Sequence, residues 1–242
     1  MTTLTASAVL KVWEQTVGLP HCGRAWQLWL SLSGRAMDGA RDVTIGECDR
    51  ELIAVHRALF GRNITGRADC PQCHEMLELD LDLEIFDLPQ PLATDRQLHL
   101  ENVDIEWRFP TARELADLAR TTNGASEVRV KLLQYCVTAV RRESQLLKFE
   151  EWPGNLAAEL GVVMVSADPL LDPGIELACD SCGHAWSVRF DIATFLWSEI
   201  DDVARRLMSE VHRLATAYGW GETEILELTA ARRAAYLQMC GR

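Results

Sequence analysis

The fold is decided by Ala68-Asp-Cys70-Pro-Gln-Cys73-His-Glu-Met-Leu77-Glu-Leu-Asp-Leu-Asp-Leu-Glu-Ile85 and its echo, Leu177-Ala-Cys179-Asp-Ser-Cys182-Gly-His184-Ala-Trp186-Ser-Val188-Arg-Phe190. Each copy runs from a small residue through a CxxC pair into a segment with apolar residues at alternate positions. Alternation at period two marks a half-buried strand, here with Leu77, Leu79, Leu81, Leu83 and Ile85 opposite Glu78, Asp80, Asp82 and Glu84. A two-copy repeat of this kind predicts two similar knuckles brought face to face. Two residues between cysteines let both sulfurs address one point, and four thiolates complete a tetrahedral shell with no position left for water. Cys70, Cys73, Cys179 and Cys182 are therefore the expected ligands of one structural zinc. Ordinary ribbons space their pairs by about 15–20 residues, whereas 105 residues separate Cys73 from Cys179. The bland alternative is two reduced cysteine pairs with no metal.

Other chemistries of the same residues fit less well. Cys70-Pro-Gln-Cys73-His74 satisfies the haem-attachment pattern CxxCH, which needs export and an axial ligand. A thiol redox pair sits at a helix N-terminus after a strand, whereas these pairs precede strands. His74 and His184 are read as loop histidines before they are read as replacement ligands or as donors of a supporting hydrogen bond. Cys22, Cys48, Cys136 and Cys240 show no pairing pattern and read as small core or surface residues. The four acids at Glu78–Glu84 are equivalent, which suits a solvated strand face better than a catalytic pair in contrasting environments. The chain carries no phosphate loop, HExxH, GxSxG elbow or dinucleotide fingerprint.

Outward from the knuckles the periodicity becomes helical. Leu10, Trp13 and Val17, then Ala25, Leu28, Trp29 and Leu32, recur at three and four. Thr44 with Glu47 signs a capping box, opening a helix through Leu52, Ile53, His56, Leu59 and Phe60 that Gly61 ends. Leu88–Thr94, with Pro89 and Pro91, reads as a linker. Leu98–Phe109 predicts one or two strands with a turn at Glu101-Asn102. Thr111, with Glu114 for its cap, opens a largely helical stretch to Leu160 whose apolar stripe is Val128, Leu132, Leu133, Cys136 and Val140. Ser166–Gly174 reads as a loop. Ile192, Leu196, Ile200, Val203, Leu207, Val211, Leu214 and Tyr218 form a heptad-like seam on one long helix, which Gly219 stops. The seam packs within the chain or against a second copy, so a homo-oligomer stays open, with the first expected. A last helix begins near Thr229.

The expected class is α+β, in five segments: a helical region at 1–66, the first knuckle and strands at 67–110, a helical insertion at 111–166, the second knuckle and strand at 167–191, and helices at 192–242. Zinc-finger peptides bind zinc with about 10–16 kcal/mol at neutral pH, more than a small sheet gains by packing.

The chain has 242 residues and a net charge of −12, with a pI near 5.0. That acidity argues against nucleic acid, whose phosphates need clustered Lys and Arg. No basic stretch leads into an apolar run at the start, and no apolar run is long enough to span a membrane. The cytoplasm is the expected compartment, where thiols stay reduced. Tryptophans divide between core and interface roles, and Arg232-Arg233 forms a local basic spot that pairs within the chain or with a partner.

Asp191-Ile-Ala-Thr-Phe195-Leu-Trp197-Ser-Glu199-Ile200, Glu210-Val-His212-Arg-Leu214, Tyr218-Gly-Trp220, Glu224-Ile-Leu226, Arg232-Arg233 and Tyr236-Leu237, together with both knuckles, resemble the baseplate proteins of tailed phages and contractile injection systems. These are often described as baseplate hub assembly chaperones. Gly46–Gly61 resembles the family's N-terminal helix. The resemblance covers most of the chain, most specifically 177–237 and least specifically 111–165. It implies a non-enzymatic assembly or structural protein whose partners are baseplate, hub or spike subunits. It also implies a C-terminal docking surface, with Trp197, Tyr218, Trp220, Arg232, Arg233 and Tyr236 as candidates. The alternatives from other classes are a zinc-ribbon module that binds nucleic acid or transcription machinery, and a thiol redox protein.

Overall fold

The computed structural model describes residues 4–34, 42–88, 96–121 and 124–240. Three helices come first: α1 (Ala6–Thr16), α2 (His21–Leu32) and α3 (Ile45–Phe60). The capping box at α3 is formed, with Glu47 N–H donating to Thr44 Oγ1 at 3.2 Å and Thr44 N–H to Glu47 Oε2 at 2.9 Å. Gly61 ends α3 at φ 97°, a backbone state that glycine enters cheaply.

The first hairpin follows, β1 (Asn63–Asp69) antiparallel to β2 (Met76–Asp82). A second sheet holds β3 (Gln97–Leu100), β4 (Val103–Trp107), β5 (Val137–Arg142) and β6 (Gln145–Leu146), all antiparallel and in that order. Between β4 and β5 lie α4 (Ala112–Thr121) and α5 (Ala125–Cys136), and after β6 comes α6 (Leu156–Ala167). The second hairpin is β7 (Gly174–Ala178) with β8 (Ala185–Arg189). The C-terminal part is α7 (Ile192–Tyr218), α8 (Glu222–Glu227) and α9 (Ala230–Met239).

Two main cores result. Leu28, Trp29, Leu52, Ile53, Leu83, Phe190 and Leu196 pack α1–α3, both hairpins and the start of α7 into one. Val103, Ile105, Val140, Leu156 and Leu160 pack α6 onto the second sheet as the other. The Arg50–Asp168 ion pair, 2.9 Å long, joins α3 to the end of α6. Asp168 is fully buried and sits so close to α3 that a Cβ on Gly46 would lie 2.0 Å from its Oδ2. Thr111 and Glu114 form a second capping box, with Thr111 N–H donating to Glu114 Oε2 at 3.0 Å.

The α+β architecture agrees with the sequence reading, and α7 has the expected bounds, with Gly219 left-handed at φ 71°. Its seam packs inside the chain. Ile192, Leu196, Ile200, Leu207 and Leu214 are buried and Ala204 is buried beside Val203, while Tyr218 stays exposed. Four details differ. Each knuckle is the turn of a hairpin, with a strand before it as well as after. The strand expected to reach Ile85 stops at Asp82, where the Asp82 carboxylate accepts Glu84 N–H at 3.0 Å and starts a 3-10 turn over Leu83–Phe86. The stretch 111–160 is not helical throughout. Val140 leaves the expected stripe for β5, because pairing with β4 satisfies both strands' backbone groups. The expected loop Ser166–Gly174 contains a 3-10 turn, Pro169–Leu171, capped by Asp168. Apart from Leu88, the expected linker Leu88–Thr94 lies outside the described residues.

Candidate metal centre

The two knuckles repeat the same backbone hydrogen bonds at equivalent positions. In the first, Cys70 N–H donates to Glu75 O at 2.9 Å and His74 N–H to Cys70 O at 2.9 Å; in the second, Cys179 N–H donates to His184 O at 2.9 Å and Gly183 N–H to Cys179 O at 2.8 Å. Both turns need a left-handed residue, filled by His74 at φ 60° and Gly183 at φ 72°. The strands resume at Asp69↔Met76 and Ala178↔Ala185. The same short plan, written twice, builds the same turn twice.

The turns face each other. Cys70 Sγ lies 3.7 Å from Cys182 Sγ, and Cys73 Sγ lies 3.5 Å from Cys179 Sγ. All four sulfurs fall within 4.8 Å of one another, the group of metal-ligating side chains found among the described residues. Four sulfurs at 2.3 Å around one ion stand about 3.8 Å apart, so the set fits a tetrahedral thiophilic metal. All four are free thiols. Cys70 and Cys179 are buried; Cys73 and Cys182 are exposed. The inner faces of the hairpins, with Ala68, Leu79, Leu81, Trp186 and Val188, rest on the first core and fix the turns to it.

The thiols do not share charge evenly. Burial opposes ionisation of Cys70, but the Cys73 and Gln72 N–H groups aimed at its sulfur, helped by neighbouring thiols, bring it down to about 7. At Cys73 the Glu75 N–H favours the thiolate, yet desolvation and the three other cysteines outweigh it and push the group up to about 12. Crowded sulfurs of this kind ionise together only around a cation. His74 is exposed, and His184 stacks on Trp186 with ring centroids 5.9 Å apart. Neither histidine joins the four-sulfur group.

The four thiols lie where the turns of two hairpins that flank the second sheet in sequence meet. Residues 37–197 match the family described as T4 bacteriophage base plate protein. This chain belongs to that family. The match contains both knuckles and the whole second sheet. It ends at Trp197, so most of the C-terminal segment that carried the sequence resemblance lies beyond it, while the middle segment lies inside it. No curated protein and no solved structure matches the chain. No described helix is long and apolar enough to cross a membrane.

In this baseplate-family chain, three of the six candidate docking residues hold one another and two more make contacts elsewhere in the chain. Arg24 lies 5.0 Å over the Trp197 ring. Tyr218 stacks on Trp220 at 4.7 Å, and Tyr236 meets Trp220 edge-on at 4.9 Å. Arg233 is buried; its Nε donates to Glu210 Oε2 at 2.8 Å and its Nη1 to Leu228 O at 2.7 Å. Of the basic pair, Arg233 therefore makes its contacts inside the chain and Arg232 faces solvent.

Sequence reading missed Asp49 of α3. Burial, then the charges of Asp191 and Asp168, push its carboxyl up to about 7 against the opposing pull of Arg50. Nothing in its local sequence signals this, because the responsible groups come from elsewhere in the chain.

Proposed function

We propose that the chain is a non-enzymatic structural or assembly protein of a phage-tail-like contractile machine, acting at the baseplate or hub through protein–protein contacts. The family match over 37–197 carries this reading. The resemblance to hub assembly chaperones gives its finer form, with hub, spike or baseplate subunits as partners and the host cytoplasm as the place of assembly. Under this reading, Cys70, Cys73, Cys179 and Cys182 would hold a zinc ion, which supplies a structural cross-link with no open position for chemistry. The thiol-redox alternative is disfavoured because both pairs sit at hairpin turns, not at a helix N-terminus where a thiolate nucleophile is activated. The nucleic-acid alternative is disfavoured by the charge of −12.

The test is pairwise co-expression with every baseplate, hub and spike subunit encoded beside the chain. Stable co-purification with at least one is expected; failure with all of them overturns the assembly reading. Elemental mass spectrometry of untagged protein tests the zinc separately. One zinc per chain with four protected thiols is expected, and no metal with eight reactive thiols removes it.

A further inference from the structure

Where α2, α3, α4, α5 and the N-terminus of α7 converge, the chain leaves a crevice of about 340 Å³. Its walls are largely apolar, with Trp26, Leu115, Leu132 and Phe190 among them, and two carboxylates, Asp49 and Asp191, enter it. Trp26 is held in place by stacking on Trp29, with centroids 5.2 Å apart.

The charges around the crevice do not balance. Among the described residues, Arg189 lines the crevice and Arg50 neighbours Asp49, and each is paired elsewhere: Arg189 with Asp172 at 2.6 Å and Arg50 with Asp168 at 2.9 Å. Asp191 caps α7, accepting Thr194 N–H at 3.2 Å and the Thr194 hydroxyl at 3.1 Å, and it also meets His21 Nε2. Asp49 is left over. It is partly buried, and among the described residues it makes no hydrogen bond and no ion pair. Folded chains tend to pair such groups, because a carboxylate partly withdrawn from water is costly to leave without a partner. Apolar and aromatic walls around a bare carboxylate are the surroundings in which an alkyl chain ending in a cation gains most.

We propose that this crevice is a binding site for an alkyl guanidinium or alkyl ammonium group, its head on Asp49 and its alkyl stem between Trp26, Leu115 and Leu132. The same chemistry is offered by a small free organic cation and by an arginine or lysine side chain presented by a partner protein. The site is separate from the four-cysteine centre and does not depend on the zinc or assembly readings.

Calorimetric titration of the full chain with agmatine and with N-acetyl-arginine-N-methylamide tests the proposal. Saturable one-to-one binding of at least one probe is expected, weakened at least tenfold by Asp49→Asn and unchanged by Asp202→Asn, an exposed acid on α7. A neutral alkyl amide of the same length should not bind. Tighter binding of the capped arginine assigns the site to a partner's side chain, and tighter binding of agmatine to a free cation. Asp49→Asn removes an unpaired acid and should fold at least as well as the parent chain, which its melting curve checks. Absence of saturable binding by both probes, or binding indifferent to Asp49→Asn, overturns the proposal.

Discussion

At Asp49, folding works against the acid. In the unfolded chain it titrates near the ordinary aspartate value of about 3.9, while the fold holds it up to about 7. Between those values the unfolded state releases a proton that the folded state keeps, so this group removes stability as pH rises from about 4 to about 7 and nothing further above that. Asp49→Asn should therefore raise the melting temperature at pH 8 and change it little at pH 4.5. A larger gain at the acid end would contradict the assignment. Gly46 gives a second case where the sign decides. Alanine normally stabilises a helix interior by up to about 1 kcal/mol over glycine. On α3 its Cβ meets the Asp168 carboxylate, which Arg50 and Leu170 N–H hold in place, so Gly46→Ala should cost about 1–2 kcal/mol by overpacking. Gly161→Ala on α6 meets nothing within 4 Å and should be neutral or stabilising. Chemical denaturation of the two variants side by side reads the contrast.

Helix α9 has little apolar surface of its own and is held by rings. Trp220 links Tyr218 at the end of α7 to Tyr236 on α9, and each such pair contributes about 0.5–1.5 kcal/mol beyond burial. Trp220→Ala should cost about 2 kcal/mol and expose the amides of 230–239 to hydrogen exchange first; unchanged protection there would mean that the Tyr218–Tyr236 contact and the Arg233–Glu210 pair hold the helix without Trp220. The elements also show what a sequence can reveal. α7 was legible end to end because its seam and Gly219 agree. The four cysteines were legible because spacing and repetition agree. β1 was not, since Asn63-Ile-Thr-Gly-Arg-Ala-Asp69 carries one large apolar residue and its pairing with β2 supplies the rest. β5 was hidden because Val137 and Val140 continue the three-and-four spacing of α5, and only the neighbouring β4 decides between helix and strand. The crevice at Asp49 was illegible because five elements distant in sequence build it.

Across the whole molecule, the knuckles fasten both ends of the segment that forms the second sheet. Cys70→Ser with Cys179→Ser should lower the melting temperature sharply and loosen the hairpins, while α6 on the second sheet keeps more of its protection; unchanged melting would count against a metal cross-link. Because binding needs thiolates, protons compete for the sulfurs, so metal retention should fall as pH drops from 7.5 to 5, read by a chromophoric chelator. Retention at pH 5 equal to that at pH 7.5 would argue for another kind of link. The distance between the two CxxC pairs also acts in time. A ribosome adding about 5–20 residues per second takes roughly 5–20 s to travel the 105 residues from Cys73 to Cys179. Until the second pair follows, the first pair of thiols has only half of the four-sulfur group available. On the zinc reading, the newborn chain passes through an interval, set by the length of its own middle segment, in which half of the ligand set waits for the other half.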